Sequence, residues 1–202
     1  MNKVGIFGGA FDPIHNGHTA LVRAAAKELK LKETLVIPTA ASPHKKSEGA
    51  SFEDRAEMCR LVFGGEPGFI VSEIERSLDA PNYTIRTVRA LKEIYPRDTE
   101  FYLILGGDML FYFEEWYRHE ALRKECRVVA AARENDSYPD LVEYANRLGR
   151  VKVLNLPVME LSSSEVRDRI KRGESTAGLL DERVRAYIDE RGLYRDGGAK
   201  GI

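Results

Sequence analysis

Short apolar runs alternate with amphipathic helical patterns along almost the whole chain, and that alternation limits the folds open to it. VGIFG at 4–8 reads as a buried strand closed by Gly8-Gly9. HTALVRAAAKELKL at 18–31 follows as a helix with Ala, Leu and Val on one face. The strand pattern returns as TLVIP at 34–38, FIVSEIE at 69–75, FYLIL at 101–105, CRVVAAA at 126–132 and VKVLNL at 151–156. Further helices are expected from Ser51, with Asp54 as a capping-box partner, and from Asn82-Tyr83-Thr84 to a stop at Pro96. Others fall over 138–149, with Gly149 at the end, and over 162–173 and 181–192. Parallel strands need a crossover, and the crossover helix packs on the sheet, so this pattern predicts helices on both faces.

The expected fold is therefore α/β: a Rossmann-like parallel sheet with helices on both faces, and with C-terminal helices after the last strand. A chain of 202 residues suits one domain with a proper core. No internal repeat or long linker divides it, so a single domain is expected over 1–195, with a frayed tail at 196–202. In such sheets ligands bind beyond the carboxyl ends of the strands, at the point where strand order reverses. The segments after strands 4–8, 34–38, 101–105 and 151–156 should then converge.

Composition narrows the partners. The formal net charge is −1, with 43% hydrophobic and 31% charged residues. No global field draws in nucleic acid or an anionic membrane, so an anionic ligand must be held by local cations and backbone dipoles. No run approaches transmembrane length, and the N-terminus lacks a signal-peptide pattern. Cys59 and Cys126 stand alone, without CxxC or zinc spacing, which reads as two reduced thiols in a cytoplasmic protein.

The four segments at the expected strand ends contain GGAFDPIHNGH, SPHKK, GGD and LSSSEVR. His15, His18, His44 and Lys45 are donors or cations; Gly8, Gly9, Gly106 and Gly107 permit close backbone approach. His15 and His18 flank the expected start of the first helix, where unpaired N–H groups and a partial positive charge favour anions. With Gly17 between them this reads as a polyphosphate cradle, in which protonation would strengthen the imidazole bonds. The pair also fits a metal half-site lacking a third ligand, or two neutral surface histidines. Ser162 or Ser163 can simply cap a helix, with Arg167 a solvated cation, or the same hydroxyls and N–H groups can hold phosphate. By itself Trp116 reads as a half-buried core residue, and His44-Lys45-Lys46 as a solvated loop.

Taken in order, GIFGGAFDPIHNGH, SPHKK, NYT, GGDMLFYFEEWY, SSSEVRDRI and RGLY resemble the bacterial nicotinate-mononucleotide adenylyltransferases of the H-x-G-H nucleotidyltransferase superfamily, over about residues 3–195. The resemblance implies a nucleotidyltransferase that joins ATP and nicotinate mononucleotide into nicotinate adenine dinucleotide and pyrophosphate, with Mg²⁺ entering with ATP and no covalent enzyme intermediate. It implies a catalytic set of His15, His18, Lys45 and Arg167. The ATP site would add Gly8, Gly9, Phe11, Asp12, Gly106, Asp108, Arg133, Ser162 and Ser163. The acceptor would meet His44, Lys45, Thr84, Trp116 and Tyr117. Partners would be these small molecules, without nucleic acid or membrane, and a homo-oligomer stays open. The chain departs from the usual family letters at Ser42, Asn82, Ser164 and Glu134-Asn135. Rival readings are a phosphopantetheine adenylyltransferase, a class I aminoacyl-tRNA synthetase, which would want a KMSKS-type loop, and a non-catalytic nucleotide-binding module.

Overall fold

A computed structural model describes residues 2–41, 49–132, 137–156 and 161–195. Six strands form one parallel sheet in the order β3-β2-β1-β4-β5-β6. They are β1 (Lys3–Gly9), β2 (Glu33–Pro38), β3 (Phe69–Val71), β4 (Glu100–Gly106), β5 (Arg127–Ala132) and β6 (Val151–Asn155). The helices are α1 (Asn16–Leu29), α2 (Phe52–Phe63), α3 (Thr84–Ile94), α4 (Gly107–Phe111), α5 (His119–Glu125), α6 (Tyr138–Leu148), α7 (Ser163–Lys171) and α8 (Glu182–Arg191).

Strand alternation divides the core in two. Phe7, Val36, Tyr102, Ile104 and Val129 face Leu21, Val22, Ala25, Met58, Val166 and Val184 on one side of the sheet. Their strand neighbours Ile6, Leu35, Leu103 and Val128 face Ile85, Val88, Leu91, Leu122 and Leu141 on the other. Every central strand is thus apolar on both faces, which is why these strands read as unbroken apolar runs. The C-terminal helix is tied back: Tyr187 donates to Asp54 Oδ1 at 2.8 Å, and Arg191 lies 3.4 Å from the same oxygen. Burial pushes the Asp54 carboxyl up, but the Ser51 and Tyr187 bonds and the Arg191 charge outweigh it and leave the group below its ordinary range.

Three expectations change. FIVSEIE supplies only the three strand residues of β3, and Ile74–Ser77 instead forms a 3₁₀ turn. The chain leaves the sheet edge because Ser72 and Glu73 offer no apolar surface there, while the turn buries Glu75 among hydrogen-bond donors. Helix α1 starts at Asn16, earlier than expected, so His15 is its cap and not a residue before it. Between β4 and β5 the chain adds two short helices and a 3₁₀ turn, Phe113–Glu115, that the sequence pattern did not give. The tail at 196–202 lies outside the described residues.

Candidate active site

The site begins where β1 and β4 part. Their pairing runs as far as Ile6 with Leu103. Beyond it β1 stays with β2, through Gly9 opposite Pro38, and β4 stays with β5, through Gly106 opposite Ala131. The neighbours diverge at their carboxyl ends, which opens the crevice expected at the switch point. Gly106 ends β4 on the far lip, and Asp108 stands exposed in the first turn of α4.

On the β1 lip the two histidines form a reciprocal capping box. The His18 backbone N–H donates to His15 Nδ1, and the His15 N–H donates to His18 Nδ1, each at 3.3 Å. The imidazoles stack with centroids 3.5 Å apart and planes 16° apart. The His18 and Phe11 rings meet edge to face, with centroids 5.2 Å apart and planes at 89°. Because both Nδ1 atoms accept, the N–H of each neutral ring sits on Nε2. A proton on Nδ1 would turn an acceptor into a donor and break the cap. With both Nδ1 atoms taken up by the cap, Nε2 is the nitrogen each imidazole can offer a ligand. His15 is 3% exposed, so the pair is not two solvated surface histidines.

The loop before the histidines anchors the second phosphate-binding candidate. Ser163 Oγ donates to the Pro13 carbonyl at 3.0 Å, and Arg167 Nη1 donates to the Asp12 carbonyl at 2.6 Å. Helix α7 therefore starts beside the start of α1, although the two lie about 150 residues apart. Ser162 caps its own helix, accepting from the Glu165 N–H at 3.1 Å. Its plain capping reading holds, whereas Arg167 is docked and not merely solvated. Asp12 Oδ1 accepts the Ala50 N–H at 3.0 Å and the Tyr194 hydroxyl at 2.7 Å. A side chain at Gly49 would overlap the Asp12 carboxylate and force it to shift. Phe11, at a positive φ of 48°, is 2% exposed and supports His18 from below.

Beside the crevice lies a cavity of about 200 Å³ whose walls include Gly8, Gly9, Thr84, Trp116 and Tyr117. Two candidate sets thus meet in one space: the glycine turn after β1 and the residues assigned to the acceptor. Trp116 is half-buried, 5.5 Å from Phe113, and still faces the cavity. Tyr83 supplies no side-chain cap to α3, whose first amide belongs to Thr84 on the cavity wall. A larger recess of about 560 Å³ lies at the opposite, amino ends of the strands, away from every candidate.

Sequence reasoning missed two buried charges at this mouth. Arg55 is 6% exposed and donates to the Ala10 carbonyl at 2.6 Å and the Thr39 carbonyl at 2.9 Å, joining the exits of β1 and β2. Glu75 is 7% exposed and lines the cavity. A signal existed for Arg55, which shares a helical face with Cys59 and Val62 on the buried side of α2. None existed for Glu75, set in the charged stretch SEIERS. His44, Lys45 and Arg133 lie outside the described residues. Among the described residues no three His, Cys, Asp or Glu side chains are grouped to hold a metal ion. Cys59 and Cys126 are free and buried; burial pushes the Cys126 thiol up to about 12 and raises Cys59 further.

The cytidylyltransferase-like family model matches residues 6–169. A relative from Dehalococcoides mccartyi (strain 195), named a probable nicotinate-nucleotide adenylyltransferase, is 39% identical over 95% of this chain and 97% of its own. The chain belongs to the nicotinate-nucleotide adenylyltransferases of the cytidylyltransferase-like family. A second relative of the same name, from Bordetella petrii, is 39% identical over 96% of this chain and 100% of its own. In fold, the chain matches the nicotinic acid mononucleotide adenylyltransferase of Plasmodium falciparum complexed with NaAD, at a TM-score of 0.80 and 19% identity over 96% of this chain and 98% of that one. The same Plasmodium enzyme complexed with APC matches at 0.77. Among the described residues no helix is long and apolar enough to cross a membrane.

Proposed function

We propose that this chain transfers AMP from ATP to nicotinate mononucleotide, giving nicotinate adenine dinucleotide and pyrophosphate on the route to NAD. The observation that carries the reading is the His15–His18 cap, which holds two imidazoles in one tautomer at the parting of β1 and β4. A phosphate oxygen of the acceptor attacks the α-phosphorus of ATP; the bond to the bridging oxygen breaks and pyrophosphate leaves. The attacking oxygen is already ionised at neutral pH, so neither a general base nor a protein nucleophile is needed. What remains is to bring two polyanions together and to stabilise charge in the transition state.

The Nε2–H groups of His15 and His18 donate to phosphate oxygens on one side. The start of α7, with Ser163 and Arg167, faces them from the other, and its docking on Asp12 and Pro13 supports this role. Gly106 and Asp108, on the β4 lip, hold the adenosine ribose, while Gly8, Gly9 and Phe11 shape the floor. Asp12 and Ser162 border the same phosphates and also hold the site's framework through their internal bonds. His44, Lys45 and Arg133 keep the roles that the resemblance implies: His44 at the acceptor, Lys45 at its phosphate or bridging it to ATP, and Arg133 at adenine. Mg²⁺ bound to ATP would supply charge neutralisation of the triphosphate, held by the phosphates and water. The nicotinate carboxylate meets the uncapped start of α3 at Thr84, and its ring lies against Trp116, with Tyr117 beside it. We place this enzyme in the cytoplasm, as a single domain over 1–195.

The test is pyrophosphate release from ATP with a panel of acceptors: nicotinate mononucleotide, nicotinamide mononucleotide and phosphopantetheine. An amide dipole at a helix start prefers an anion, so kcat/KM for the acid should exceed that for the amide by about tenfold or more. Preference for the amide or for phosphopantetheine contradicts the reading.

A further inference from the structure

The cavity assigned to the acceptor is walled largely by Ile6, Ile37, Leu103 and Leu105, yet a carboxylate, Glu75, lines it too. A buried acidic group is an odd neighbour for an anionic acceptor, and its bonds show what it does instead. Glu75 Oε2 accepts the Ala40 N–H at 3.2 Å, and Oε1 accepts the Thr87 hydroxyl at 2.9 Å. Its backbone carbonyl accepts Asn82 Nδ2 at 3.0 Å, and Asn82 Oδ1 accepts the Ala41 N–H at 2.7 Å. Asn82 also pairs with Ala41 through its own backbone N–H at 3.0 Å. Arg55 continues the series by clamping Ala10 and Thr39. Three buried polar side chains from three segments thus lash the exits of β1 and β2 to the start of α3. Both Glu75 oxygens are turned to this framework and stay there with their partners satisfied. A fully satisfied buried network rigidifies what it joins.

We propose that Glu75 is a positioning residue for the acceptor end of the mouth: it fixes the exit of β2 at Ala40 against α3 at Thr87, and so sets where the uncapped amides at Thr84 stand in the cavity. This rests on the acceptor reading above. It assigns to one buried carboxylate the distance between the glycine turn and the helix start. Asn82 has a particular part in it, since its amide gives and takes at once; a serine there has one short hydroxyl and cannot span Glu75 and Ala41 together.

The test compares Glu75→Ala with Glu75→Gln in the full chain. Glutamine keeps both contacts, with Oε1 accepting from Ala40 and Nε2 donating to Thr87 Oγ1. Loss of the two bonds in Glu75→Ala should raise KM for nicotinate mononucleotide about tenfold while leaving KM for ATP within about twofold. Glu75→Gln should restore most of the loss. A second readout needs no turnover: hydrogen exchange at the Ala41 amide, which Asn82 and not the Glu75 side chain holds, should quicken about tenfold in Glu75→Ala. Exchange in β4 and α7 should stay as in the wild type. A parallel rise in both KM values, a Gln variant as damaged as the Ala variant, or an unchanged Ala41 amide overturns the proposal. If the wild type turns over no acceptor, the functional reading fails, and the Ala41 exchange alone decides whether Glu75 positions this wall.

Discussion

On the β1 side of the mouth, His15 and His18 stand three residues apart and fix one another through a single helix start. On the β2–α3 side, Arg55, Glu75 and Asn82 come from separate segments and meet only once the sheet has formed. The first arrangement is local: its geometry follows from capping, and a short stretch of sequence carries it. The second is assembled from residues scattered between 10 and 87, and apart from the Thr87 hydroxyl its bonds go to backbone carbonyls and amides. The difference teaches where each kind of precision comes from. On the proposed reading, the groups aimed at developing charge are set by one rigid helix end, and the wall that would receive the acceptor is set by a buried polar belt.

The comparison can be broken at either side. The largest effect is expected on the histidine side. His18→Ala removes a donor to developing charge and half of the cap, so kcat should fall about 10²–10³-fold with little change in either KM. The lost cap should cost about 1 kcal/mol of stability. His18→Gln separates the two, because a glutamine at the third helical position still accepts from the His15 N–H: melting temperature should recover and turnover should not. Turnover within about threefold of the wild type in His18→Ala would remove the histidines from the chemistry.

A smaller and differently directed effect is expected across the mouth. Trp116→Ala should raise KM for the acceptor about tenfold, from lost ring stacking and burial, with ATP affinity within about twofold. Steady-state kinetics with each substrate varied in turn reads this directly. Equal losses for both substrates, or a collapsed melting curve, would return Trp116 to the core beside Phe113 and erase the contrast between the two sides.

Much of this was legible in the letters because local chemistry decides it. Ser51, Ser137 and Ser162 cap α2, α6 and α7 as side-chain acceptors, and Gly149 ends α6 at a positive φ of 68°. The double-faced apolar strands forced a parallel sheet. The chain after β3 misled because alternation of Ile, Ser and Glu resembles a strand when the buried bonds of Glu75 are not in view. The stretch between β4 and β5 misled because its helices, five and seven residues long, leave too little periodicity to read. The histidine tautomer was likewise hidden: GGAFDPIHNGH shows two imidazoles at a helix start, but only the two 3.3 Å bonds fix which nitrogen carries the proton. Arg55 was readable in principle, as a charge on the buried stripe of α2.

The central claim is that both nucleotides meet where β1 and β4 part, between the cap of α1 and the start of α7. A crystal structure of the chain with nicotinate adenine dinucleotide tests it most directly. We expect the two phosphates within hydrogen-bond reach of His15 or His18 Nε2, and the pyridine carboxylate on the Thr84 amide with the ring against Trp116. A dinucleotide bound in the recess at the amino ends of the strands, or one whose phosphates touch neither histidine, would contradict the account.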